Sequence, residues 1–119
     1  MPFVETGFNN SLVFEPLVFE DSRGFFYESF NEKTFKDVGI NRPFVQDNQS
    51  FSRNGVLRGM HLQKGMYAQA KLVRVLHGEV LDVVVDLRPN SETFGKHFSI
   101  VLSSNNKKQL YVPRGFAIG

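Results

Sequence analysis

The chain contains no cysteine, so disulfides and thiolate metal sites are excluded. It has only three histidines, His61, His77 and His97, spread far apart. None forms the paired His-x-His of a barrel metal centre, and no bound metal is expected. The formal net charge is only +2, which argues against a nucleic-acid binder working by bulk charge. No apolar run is long enough to span a membrane. The start, Met1-Pro2-Phe3-Val4-Glu5, lacks the basic-then-apolar layout of a signal peptide. There is no internal repeat, linker or low-complexity segment. A cytoplasmic location without membrane or nucleic-acid partners is the expectation. What is present is an ordinary globular composition, 41% hydrophobic, over 119 residues. That suffices for one domain, taken as 1–119, with a real core. Thirteen phenylalanines and no tryptophan suggest sheet faces packed on each other, with rings available for stacking a ligand.

The pattern along the chain is mainly β. Residues 11–19 read as a strand interrupted by Pro16, hence an edge or a bulge. Asp21-Ser22-Arg23-Gly24 is a turn, and residues 25–30 have high β-propensity. Residues 31–39 form the one good helix candidate, with Asn31 as cap, Gly39 as stop, and Phe35 and Val38 as the packing side. From there strands are expected at 44–51, 56–63, 70–76, 79–87, 96–102 and 108–112. Asn54-Gly55 turns the first pair and His77-Gly78 the second. Short strands at this spacing predict a sandwich, jelly roll or barrel.

If His77-Gly78 is a two-residue turn, Lys71 lies opposite Val84. One face of that hairpin then carries Lys71, Val73, Val75, Val80, Asp82 and Val84. Lys71 and Asp82 become diagonal neighbours on a valine-lined surface, with Asp82 a candidate support for the lysine. Lys71 either snorkels to water from a strand end or sets a positive charge in an apolar cup to stabilise an anion. His61 is either structural or a general base with a pKa near neutral. Arg58 and His61, three apart, point to opposite faces of a regular strand unless Gly59 hosts a bulge. Arg23 and Gln46-Asp47-Asn48 are consistent with turn chemistry alone. Taken together, two arginines suit phosphates, the amides a base edge, and Phe19, Phe25 or Phe26 a stacking platform.

The segments Phe19-Glu20-Asp21-Ser22-Arg23-Gly24-Phe25-Phe26-Tyr27-Glu28-Ser29-Phe30, Gln46-Asp47-Asn48, Gly55-Val56-Leu57-Arg58-Gly59-Met60-His61, Lys71-Leu72-Val73-Arg74-Val75, Gly78-Glu79-Val80 and Pro113-Arg114-Gly115-Phe116-Ala117 resemble the dTDP-4-dehydrorhamnose 3,5-epimerases. The resemblance runs in register over nearly all of the chain. It implies an all-β, cupin-type jelly roll (a double-stranded β-helix) with one short helix near 31–38. It also implies a homodimer without metal or organic cofactor, and a dTDP-4-dehydro-6-deoxy sugar nucleotide as substrate. Residue by residue, it makes His61 the proton acceptor and Lys71 the neighbour of the sugar's 4-keto oxygen. Arg23 and Arg58 become diphosphate contacts. Gln46, Asp47 and Asn48 line the nucleotide site, and Glu28 contacts the nucleotide.

Two departures accompany the resemblance. The chain ends before the family's tyrosine acid and its later strands, so the jelly roll is expected to be the N-terminal two-thirds of a domain, incomplete at its C-terminal end. The family usually has histidine where this chain has Ile118. Alternatives therefore stand beside the 3,5-epimerase: a C3- or C5-only epimerase, a ketoisomerase, a non-catalytic dTDP-sugar-binding cupin, or a cupin module without ligand.

Overall fold

The computed structural model describes residues 3–5, 12–40, 44, 46–60 and 70–119. Nine strands and one helix occur among them, in the order β1 Phe3–Glu5, β2 Leu12–Phe14, β3 Val18–Asp21, β4 Gly24–Tyr27, α1 Glu32–Lys36, β5 Lys71–Arg74, β6 Glu79–Asp86, β7 His97–Ser103, β8 Gln109–Val112 and β9 Phe116–Ile118. They form a four-stranded sheet β1-β2-β8-β5, a three-stranded sheet β7-β6-β9 and a ribbon β3-β4, with every pairing antiparallel.

The two larger sheets face each other, as in a jelly roll. Alternation along the strands decides what lies between them. Val13, Leu110 and Val112 come from the first sheet, and Val84, Leu102 and Phe116 from the second. Val73, Val75, Phe98, Ile100 and Ile118 pack around this group. The intervening positions of the first sheet, Leu12, Phe14, Leu72 and Tyr111, point the other way and belong to a second core with Phe35, Ile40, Phe3 and Val38. The first sheet is thus covered on both faces.

The helix supplies that outer cover. It is too short to be stable alone. Asn31 caps it by accepting from the Thr34 amide at 3.1 Å, and Lys36 pairs with Glu32 at 2.9 Å. What holds it is Phe35, buried against the rings of Phe3, Phe14 and Phe30 at centroid separations of 5.0, 5.1 and 4.8 Å. No helix among the described residues is long and apolar enough to cross a membrane.

Several expectations are corrected. Residues 11–19 do not form one strand: the chain leaves β2 after Phe14 and starts β3 at Val18, with Pro16 in the break. Residues 44 and 46–51 form no strand, nor do 56–60; the rest of the expected 56–63 strand lies outside the described residues. These stretches have strand-like side chains but no partner edge among the described residues, and Leu57 is 95% exposed. β-Propensity expresses packing on a pleated surface, so it has no effect without one. Asn54-Gly55 still turns the chain, with Val56 N–H donating to Arg53 O at 3.2 Å. Finally, β5 and β6 are not a hairpin. Lys71 pairs with Val112 on β8, while β6 pairs with β7 and β9. Residues 75–78 carry the chain from one sheet to the other.

Candidate active site

That crossover brings the two charged residues of the expected hairpin together by another route. Lys71 shares a strand face with Val73, which packs on the inter-sheet core. Asp82 shares a face of β6 with Val84, in the same core. Lys71 and Asp82 therefore enter the inter-sheet layer from opposite sheets, rather than side by side on one. Lys71 is half-buried at the start of its strand. Asp82 is 8% exposed, and its Oδ2 has no hydrogen-bond partner among the described residues. Burial pushes its carboxyl up to about 6, with Lys71 pulling in the opposite direction.

His61 lies outside the described residues. The chain leading to it is fixed at Arg58-Gly59-Met60. Gly59 has φ +120°, and a Cβ there would come within 2.6 Å of Gly119 Cα. Only glycine fits that contact. Gly119 in turn exchanges hydrogen bonds of 2.9 Å with Val83 in both directions, next to Asp82. The expected bulge at Gly59 in a strand is thus a positive-φ contact in a non-strand segment. Arg58 is exposed and donates from Nε to Ser52 Oγ at 2.8 Å and from Nη2 to Phe51 O at 3.4 Å.

The remaining candidates sit on two exposed pieces. Arg23, Phe26 and Glu28 belong to the β3-β4 ribbon and its exit. Phe26 pairs with Phe19 across the ribbon, and both rings are exposed. Phe25 stacks on Tyr27 and carries the Lys107 ammonium 4.3 Å from its ring centroid. Arg23 is held by Asp21, with Nη2 to Oδ2 at 2.7 Å. Gln46, Asp47 and Asn48 are exposed, with Gln46 Nε2 donating to Asn48 Oδ1 at 3.3 Å. Within the chain, the structure brings Lys71 and Asp82 together; it does not gather these surface residues around them.

One polar cluster escapes the sequence reading, which takes residues 88–91 as a simple loop. Asp86 is fully buried at the end of β6 and accepts from Arg88 N, Nε and Nη2, each at 3.0 Å. It also accepts from Ser91 Oγ at 2.6 Å and from the Thr93 hydroxyl. Arg88, chiefly, holds its carboxyl well below the usual carboxylate range. Arg88 also lies over the Phe116 ring at 4.6 Å, and a Cβ on Gly115 (φ +92°) would strike its Cγ. The available signal was the Asp-x-Arg spacing followed by two hydroxyl residues. In Asp21-Ser22-Arg23 the same spacing makes the same bond, Arg23 N to Asp21 Oδ1 at 2.8 Å. This cluster clamps the end of β6 to the β9 approach, where Leu87 N–H donates to Gly115 O at 3.0 Å.

Two antiparallel sheets closing on a shared apolar layer define a cupin-type jelly roll. Comparison with known proteins makes the class specific. The family model of dTDP-4-dehydrorhamnose 3,5-epimerase matches residues 5–119. The dTDP-4-dehydrorhamnose 3,5-epimerase of Escherichia coli K12 is 54% identical over 120 residues, covering 100% of this chain. This chain spans 65% of that relative's length. The crystal structure of dTDP-4-dehydrorhamnose 3,5-epimerase from Elizabethkingia anophelis is 60% identical with a TM-score of 0.92, covering 98% of this chain and 64% of that one. A dTDP-6-deoxy-D-glucose-3,5-epimerase from Legionella pneumophila, solved in complex with dTDP-4-keto-L-rhamnose, is 47% identical with a TM-score of 0.91, covering 98% and 62%. The chain belongs to the dTDP-4-dehydrorhamnose 3,5-epimerase family.

Proposed function

We propose that the protein containing this chain is a sugar-nucleotide epimerase. It acts on dTDP-4-dehydro-6-deoxyglucose at C3 and C5, in the formation of dTDP-rhamnose. The observation that carries the reading is the in-register family match over residues 5–119. Lys71 shares its strand face with Val73, which packs between the two sheets, and this agrees with the reading.

The chemistry requires few groups. A ketone at C4 acidifies the protons on both flanking carbons, because the charge left by deprotonation moves onto the ketone oxygen. His61 takes the proton as general base. Lys71 meets the developing oxyanion in a layer poor in water, where a fixed positive charge is worth more than in bulk solvent. Reprotonation from the opposite face of the ring inverts the carbon. Arg23 and Arg58 bind the diphosphate, Glu28, Gln46, Asp47 and Asn48 line the nucleotide site, and Phe26 stacks on the base. These groups lie on exposed ribbon and loop surfaces of one chain. Homodimer formation, by bringing a second copy's surface to the roll, completes the site.

Incubating the protein with the keto sugar in deuterated water tests the reading. Deuterium is expected at C3 and C5 by NMR; exchange at one carbon alone identifies a single-site epimerase, and exchange at neither rejects the proposal. A second reading, a dTDP-sugar binder without catalysis, is favoured by one feature. Ile118, which pairs with Val84 and packs on the inter-sheet core, offers no hydrogen bond to a substrate. Tight dTDP binding without exchange would select it.

A further inference from the structure

The inter-sheet layer holds a carboxylate that the reaction described above does not use. Asp82 sits in the middle of β6 between Leu81 and Val83, opposite Ile100 on β7. A buried, unpartnered carboxylate oxygen is costly, and an apolar residue at this position would remove the cost. Among the described residues, its surroundings leave one cation to explain it. From β7 the interior neighbours are Phe98, Ile100 and Leu102, and from β9 Ile118, none of them titratable. Along its own strand the next interior acid is Asp86, already engaged by Arg88, Ser91 and Thr93. From the facing sheet the charged side chain is Lys71, whose field acts on Asp82. His61 lies outside the described residues.

Resting on the epimerase reading, we propose that Asp82 is the positioning residue for Lys71: from the opposite sheet its carboxylate draws the ammonium group inward, across the apolar layer, to the place where the enolate oxygen forms. A lysine at a strand end among valines would otherwise extend its flexible stem toward water. An opposite charge inside the roll makes the inward rotamers the favoured ones. The upward displacement of the Asp82 carboxyl to about 6 fits a group kept in the layer at the expense of its own ionisation.

Asp82→Asn preserves shape and removes the charge. Its kcat is expected to fall about a hundredfold, the cost of a catalytic group misplaced by about 1 Å. KM for the sugar nucleotide is expected to stay unchanged, because the nucleotide contacts lie elsewhere. The double variant Lys71→Met/Asp82→Asn is expected to be no slower than Lys71→Met, since both act through one group. A wild-type kcat in Asp82→Asn, or additive losses in the double variant, would overturn the proposal.

A readout independent of turnover separates this proposal from the epimerase assignment. The rate at which an amine-directed acylating reagent labels Lys71, followed by mass spectrometry from neutral to alkaline pH, is expected to rise in Asp82→Asn as the amine turns outward. Labelling at the wild-type rate overturns the positioning role. Faster labelling together with absence of any epimerisation by the wild type leaves the pair standing and removes the assignment.

Discussion

Lys71 and Asp82 reach the same apolar layer from two different sheets, Lys71 from β5 beside Val112 and Asp82 from β6 beside Ile100. The field of the lysine does not cancel the burial of the acid: the Asp82 carboxyl lies above its ordinary range at about 6. The carboxylate is therefore a net destabilising charge in the folded chain, and this has a measurable sign. With the folded value raised above 3.8, the stabilising contribution is full below about 3.8 and is lost as pH rises through about 6. The difference at neutral pH is roughly 3 kcal/mol. Asp82→Asn is expected to melt higher than wild type at neutral pH, with the gap closing as pH falls toward the ordinary carboxylate range. Thermal melts at a series of pH values check this; a variant that melts lower at neutral pH would contradict it.

Asp86 has the opposite sign. Its lowered carboxyl stabilises the fold above the usual aspartate range, and that contribution is lost as pH falls below that range through the lowered folded value. Asp86→Ala leaves the half-buried Arg88 guanidinium without its carboxylate and is expected to cost about 3–5 kcal/mol in chemical denaturation. Asp21→Ala breaks the same Asp-x-Arg contact on the surface, where Arg23 is 88% exposed, and is expected to leave the denaturation midpoint unchanged.

Phe35 joins the short helix to the outer face of the first sheet. Truncating it removes contacts with three other rings at once. Phe35→Ala is expected to lower stability by about 3–5 kcal/mol. Hydrogen exchange should then show residues 31–39 losing protection before the two sheets do, since the packed ring rather than intrinsic propensity holds the helix.

The particular residues show where sequence reasoning reached and where it stopped. The helix was legible because Asn31 and Gly39 mark its ends by local chemistry and Phe35 marks its buried side. The inward set Lys71, Val73, Val75, Asp82 and Val84 was legible because strand alternation fixes a face whichever sheet the strand joins. Val80 lies on the same face, opposite Leu102, but near the strand's start it is 45% exposed. The pairing of β5 was not legible: His77-Gly78 looks like a hairpin turn, and nothing local says that residues 75–78 change sheets. The Asp86 cluster was hidden because its burial comes from β9 and Gly115, distant in sequence. The strands expected at 44–51 and 56–63 do not form at the described residues 44, 46–51 and 56–60, because propensity does not supply an edge to pair with.

On the proposed assignment, binding of the nucleotide is expected to separate from chemistry. Arg23 and Arg58 are exposed and, among the described residues, hold only local partners, so substituting them is expected to leave the roll intact. Arg23→Ala and Arg58→Ala are each expected to weaken dTDP binding about tenfold, the value of a charge-assisted hydrogen bond. The loss should shrink at high salt. Calorimetric titration checks this, with unchanged melting temperatures as the control for folding.

The most direct test of the account is Lys71→Met, which keeps the stem of the side chain and removes the charge. Solvent-deuterium exchange into the keto sugar and affinity for dTDP are measured on the same sample. The account predicts exchange slowed by about a hundred- to a thousandfold, the usual cost of losing one oxyanion donor, with dTDP affinity unchanged. Exchange at the wild-type rate in Lys71→Met would contradict the claim that the layer between the two sheets is where the enolate is stabilised.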